Sequence, residues 1–153
     1  MTWWAPLDVL KYAKAAGWDN DTAKRAATVA LVASNGADHH VWDPGCGPEF
    51  VQSGLWSLSA ALVVSAEGGD QLDPAESAAT AFSLWHNRGR HWSWHPVVSA
   101  DGGALVRRTL DALDLDNLWG ARAAVVYGSL AHLRTMTYTS KRIERILAQY
   151  PTT

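Results

Sequence analysis

Ala23, Ala26, Ala27, Ala30 and Leu31 recur at the spacing that places residues on one face of a helix, and all but the last are alanines. A face built of methyl groups lets neighbouring elements approach closely. The segment after Asn20 or Asp21, either of which can cap, is therefore predicted to be an interior helix that stops near Ser34, ahead of Asn35 and Gly36. A chain organised around such a helix is predicted to be mainly α.

The flanking segments agree. Pro6 suits the first turn of a helix, and Leu7, Leu10, Tyr12 and Ala15 continue it to about residue 16, before Gly17. Asp73 can cap a helix with Pro74 at its first position and Glu76 at its third, with Ala78, Ala79, Phe82 and Trp85 on one face until about Arg88. Leu55 to Ala66 reads as a buried helix, with a strand as the alternative because of Val63-Val64. Ala104 to Leu113, Leu118 to Leu133 and Ser140 to Tyr150 are helical in pattern. Between Ala37 and Ser53, Asp43-Pro44-Gly45 and Gly47-Pro48 mark a long loop with room for a short hairpin.

With 153 residues, 48% of them hydrophobic and 18% charged, the chain is expected to form one domain over residues 1–153 around one core. Cys46 is the only cysteine, so an internal disulfide is excluded and the core must supply the stability. A formal charge of −2 without a basic block argues against nucleic acid as a partner. Met1 to Pro6 lacks the basic and apolar pattern of a signal peptide, and no run has the length of a membrane span. The nine tryptophans are out of proportion, and such residues are favoured in carbohydrate clefts and at interfaces as well as in cores.

Three segments stand in a telling order: a helix ending in Ala33-Ser34-Asn35-Gly36, then Gly54-Leu55-Trp56-Ser57, then Asp73-Pro74-Ala75-Glu76-Ser77-Ala78, followed by Trp92-Ser93-Trp94. In this order and spacing, over residues 8–97, the chain resembles phage and actinobacterial lysozyme-like proteins of the transglycosylase type. In that family the helix ends in a Glu-Ser-Gly-Gly-like motif. The second segment reads Gly-Leu-Trp-Gln or Gly-Leu-Met-Gln, and the third helix opens with Asp-Pro and carries an Asn. The resemblance implies a helical lysozyme-like domain with a loop or short hairpin over a cleft, and makes residues 104–150 an additional C-terminal helical extension.

Glycosidic cleavage needs a proton delivered to the leaving oxygen, a task for a carboxylic acid whose pKa is raised at the edge of an apolar pocket. The position matching the family's catalytic glutamate is Ala33, which has no proton to give. Ser57 stands where the family has Gln, and Ser77 where it has Asn. The resemblance therefore implies a catalytically impaired lysozyme-like protein, a pseudoenzyme that docks to a peptidoglycan glycan strand or to neighbouring virion proteins, as in a phage tail. Its expected location is the virion, or the host cytoplasm before assembly. Ser34, Trp56, Ser57, Trp92 and Trp94 are the expected substrate-binding residues. The alternative is a muramidase or lytic transglycosylase inactivated by a Glu-to-Ala change at Ala33, or one using Asp38, Asp43 or Glu49 as a substitute acid.

Other chemistries find less in the sequence. His91 and His95 are four apart near His86, and His39-His40 lie near Asp38 and Cys46, but neither His-Glu-x-x-His nor a pair of Cys-x-x-Cys is present, so no metal or other cofactor is expected. No Gly-x-Ser-x-Gly elbow supports a serine nucleophile. Trp92 and Trp94, beside Arg88 and Arg90, read either as a sugar platform or as a clamp on the helix after Asp73. Trp3 and Trp4 read as a lid on the core or as an interface anchor. Ile143, Ile146, Leu147 and Tyr150 set against Lys141, Arg142 and Arg145 give the last helix one apolar and one charged face.

Overall fold

The computed structural model describes residues 4–38, 40–41, 51–115 and 118–119. Over these the chain is mainly helical, with α1 (Pro6–Ala16), α2 (Asn20–Ser34), α3 (Ala60–Ser65), α4 (Pro74–Asn87), α5 (Pro96–Ser99) and α6 (Ala104–Leu115). Three two-residue strands, β1 (His40–Val41), β2 (Gln52–Ser53) and β3 (Leu58–Ser59), form one antiparallel sheet in the order β1-β2-β3. The register pairs His40 with Ser53 and Gln52 with Ser59, so a short hairpin does lie between α2 and α3.

α2 is the hub. Its alanine face is closed to solvent along its whole length, and α1, α5 and α6 all pack against it. The cap is Asp19, one residue ahead of the two expected: its carboxylate accepts the Thr22 N–H at 2.9 Å, which neutralises a helix-end donor. Asn20 and Asp21 are already helical.

α1 turns inward on Pro6, Val9, Leu10 and Ala13, leaving Ala15 in solvent. Its end is set by Gly17 at φ +132°, where a Cβ would stand 3.0 to 3.2 Å from the Phe82 ring. Only glycine lets α1 and α4 come that close. α4 begins at Asp73 as expected, with the carboxylate accepting from Ala75 N–H, but Glu76 reaches past the cap to the Asp70 N–H. Its enclosed face carries Ser77, Ala78, Thr80, Ala81 and Leu84, with Phe82 and Trp85 at the margin and Ala79 outside.

The expected helix over residues 55–66 is shorter and begins later. Gly54 at φ +78° and Ser57 at φ +46° fold residues 54–57 into a turn, β3 follows, and α3 starts only at Ala60. Leu55, Trp56, Ser57 and Leu58 are the buried residues of this stretch, whereas α3 buries none and Val64 is exposed. Apolar content alone concealed that division, because the turn and the helix are equally apolar.

Aromatic rings fill the space between α2 and α4. Trp18 stacks on Trp56 at 5.9 Å between centroids, meets Phe82 edge-on at 5.2 Å, and lies 5.6 Å from Trp92. Trp4 packs edge-on against Tyr12 at 5.3 Å, and its backbone N–H donates to the Gly36 carbonyl at 2.7 Å, so it closes the core beside α1; Trp3 lies outside the described residues. α6 continues to Leu115, and Leu118 and Trp119 form a turn that folds back on it through a Leu118 N–H bond to the Leu113 carbonyl. The expected helices over 118–133 and 140–150 otherwise fall outside the described residues. No helix among the described residues is long and apolar enough to cross a membrane.

Candidate functional site

Two left-handed residues in succession, Asn35 at φ +59° and Gly36 at φ +81°, turn the chain sharply out of α2. The turn is held from both sides. The Asn35 N–H donates to the Leu31 carbonyl at 2.9 Å, while the Ser34 hydroxyl donates to the Ala30 carbonyl at 2.8 Å and accepts from the Gly36 N–H at 3.2 Å. Ala33 sits half-buried on the last turn of the helix.

The turn at residues 54–57 meets this helix end. The Ser57 hydroxyl donates to the Ala33 carbonyl at 3.2 Å, one of the carbonyls that a helix terminus leaves without an intrahelical partner. At its other end, a Cβ on Gly54 would lie 2.3 Å from the Gln71 carbonyl oxygen and 2.7 Å from Ser77 Oγ. Glycine is thus required there by both its φ and its neighbours. The three segments singled out in the sequence are packed onto one another: Ser57 on Ala33, and Gly54 on Ser77.

Four of the five expected substrate-binding residues are enclosed. Ser34 and Trp56 have no exposed surface, and Trp92 and Ser57 are 5% and 6% exposed. A side chain that reaches no solvent cannot stack on a sugar, so Ser34, Trp56 and Trp92 act as framework. Trp56 Nε1 donates to the Ala26 carbonyl at 3.0 Å across the alanine face, which fixes the turn before Ser57 onto α2. Trp94 is half-buried, with Arg88 over its ring at 5.9 Å and its Nε1 donating to the His91 carbonyl at 2.8 Å. Trp92 and Trp94 therefore clamp the loop after α4, and Trp94 keeps the one partly open ring of the two.

The polar equipment of the site is unusual. Both amide atoms of Asn35, the Ser77 hydroxyl and Gln71 Oε1 are buried and find no hydrogen-bond partner among the described residues. An unpaired buried polar atom costs about 1 to 3 kcal/mol, so this is an expensive arrangement for a purely structural region. The sequence shows Asn35-Gly36 as a turn; that the Asn amide is enclosed depends on the packing of distant segments and leaves no sequence signal. Residues 33–36 and 54–57 contain no carboxylate that could deliver a proton, and Asp38 is half-buried and holds an interaction of its own. Asp43 and Glu49 lie outside the described residues.

His95 supports the same turn from behind. Its Nδ1 accepts the Val97 N–H at 3.3 Å, which assigns the ring proton to Nε2, and Nε2 lies 2.7 Å from the Trp56 carbonyl. Both ring nitrogens are used by the neutral form, and burial pushes the imidazole below its ordinary value of 6.5. His86 stacks on Phe82 at 5.6 Å and His91 Nδ1 lies 2.7 Å from the Ser93 hydroxyl, so the three histidines of this region are separately engaged. Among the described residues no group of three or more His, Cys, Asp and Glu converges, and His39 and Cys46 lie outside them.

Compared with known proteins, the chain matches no family model, no curated protein and no solved structure.

Proposed function

We propose that this protein is a lysozyme-like pseudoenzyme that docks to peptidoglycan glycan without cleaving it, as a component of a phage tail or virion. The observation that carries this reading is the packing of Ser57 on Ala33 and of Gly54 on Ser77. The three segments that resemble the lysozyme-like motifs meet in space, and at each of them a smaller residue, Ala33, Ser57 or Ser77, stands where the resemblance expects Glu, Gln or Asn.

The test is Ala33→Glu assayed for clearing of bacterial cell walls. The pseudoenzyme reading expects no activity in either the unmodified or the substituted protein, because Ser57 and Ser77 lack the amides that would accompany an acid. Activity regained by Ala33→Glu would instead identify a muramidase or lytic transglycosylase inactivated at one position. Activity in the unmodified protein would identify an enzyme with a substitute carboxylate.

A further inference from the structure

At the opposite end of α2 from Ala33, a cavity of about 280 Å³ is lined by Thr22, Arg25, Trp85, Arg90, His91 and Trp92. Its composition differs from the rest of the surface, because two guanidinium groups and an imidazole meet two indole rings there. Neither arginine stands within ion-pair distance of a carboxylate among the described residues. Asp21, four residues before Arg25 on α2, is not paired with it, and Asp19 is committed to capping through the Thr22 N–H and hydroxyl at 2.9 and 2.8 Å. On the same helix Lys24 does find a counter-charge, Asp114 at 2.9 Å. The two arginines beside the cavity are thus left with donor capacity that no described carboxylate uses.

The walls are rigid. The Arg90 N–H is held by the Trp85 carbonyl at 2.9 Å, the loop beyond it by the Trp94 Nε1 bond to the His91 carbonyl, and His91 Nδ1 by Ser93. Trp92 is anchored in the aromatic core. Arg90 itself sits at φ +59°, a left-handed conformation that is strained for any residue with a Cβ. The backbone strain is retained while the residue that bears it projects a guanidinium beside Arg25.

We infer that this cavity is a binding site, separate from the Ala33 end of α2, for an oxyanion joined to a flat or apolar body. The guanidinium forks pair with a phosphate or carboxylate, and the half-buried Trp85 indole covers the attached ring, with the enclosed Trp92 as the floor beneath it. A cavity of 280 Å³ lies at the small end of ligand pockets and holds one ring with its charged group.

Phenyl phosphate and phenylacetate serve as probes, with inorganic phosphate as the control for charge alone, followed through the indole and backbone amide signals in NMR titrations of the intact protein. The site predicts saturable shifts at the Trp85 and Trp92 indoles, with inorganic phosphate weaker by about tenfold. The arm that binds more tightly identifies phosphate or carboxylate as the natural head group. Arg25→Gln and Arg90→Gly should each weaken binding about tenfold or more, and Lys24→Gln should leave it unchanged. Arg90→Gly is the safeguard against misfolding, since glycine is at ease at φ +59°. Absence of saturable shifts with both ring probes, shifts that survive both arginine substitutions, equal weakening by Lys24→Gln, or equal affinity for inorganic phosphate would each overturn the assignment.

Discussion

Trp18 is enclosed by Trp56, Phe82, Trp85 and Trp92 at centroid separations of 5.2 to 5.9 Å, and within this knot Trp56 and His95 spend their polar atoms on backbone groups. Trp18 Nε1 is the exception. The far end of α2 is as thoroughly buried, yet its residues are small, and Asn35, Gln71 and Ser77 keep buried polar atoms without partners among the described residues. Both regions rest on the same helix. The first is built as a core is, with large rings in contact and few polar losses; the second tolerates losses that a core would have eliminated.

The contrast breaks most readily at Trp56. Trp56→Ala removes the stack on Trp18 and the bond to Ala26, and should lower unfolding free energy by about 4 kcal/mol in urea denaturation. A loss below about 1 kcal/mol would mean that the ring knot is not the structural centre. Gly54→Ala should cost about 2 to 3 kcal/mol by the same measurement, since a methyl group at φ +78° would collide with the Gln71 carbonyl, and the turn could not keep Ser57 on Ala33.

His95 gives the knot a pH signature. Its folded pKa lies below 6.5, so between that value and the lower folded one the unfolded chain binds a proton that the native one does not. The stability contributed by neutral His95 is therefore complete above about pH 6.5 and is lost as pH falls through that window, by up to about 1.4 kcal/mol per pH unit. Denaturation midpoints of the wild type and His95→Gln, compared from pH 7.5 to pH 5, should converge on acidification; parallel curves would show that the imidazole is not held neutral.

The smallest effect has the opposite sign. Asn35→Gly removes an unpaired buried amide and places glycine at φ +59°, and should stabilise the protein by about 1 kcal/mol. Destabilisation would indicate that the amide is satisfied in solution and that the two regions do not differ in kind.

Much of the helical framework was legible because its signals are local: Pro6, Pro74 and Gly17 bound helices through backbone restriction, and the alanine face of α2 declared an interior helix. Misreadings arose where the deciding contact was remote. Leu55 to Ala66 looked like one helix, since nothing in its apolar pattern reveals that Gly54 must pass between Gln71 and Ser77. Trp56 and Trp92 looked equally suited to a sugar or to a core, and only their burial against Trp18 decides it. Ala33, Ser57 and Ser77 could be named from motif order, but their packing onto one turn, and the unpaired amide of Asn35 beside it, depend on tertiary contact.

The most direct test of the account is cosedimentation of the unmodified protein with purified peptidoglycan sacculi, with the supernatant examined by mass spectrometry for released muropeptides. A docking pseudoenzyme predicts protein in the pellet and no muropeptides in solution. Released muropeptides would contradict the loss of catalysis, and protein left entirely in the supernatant would contradict the docking.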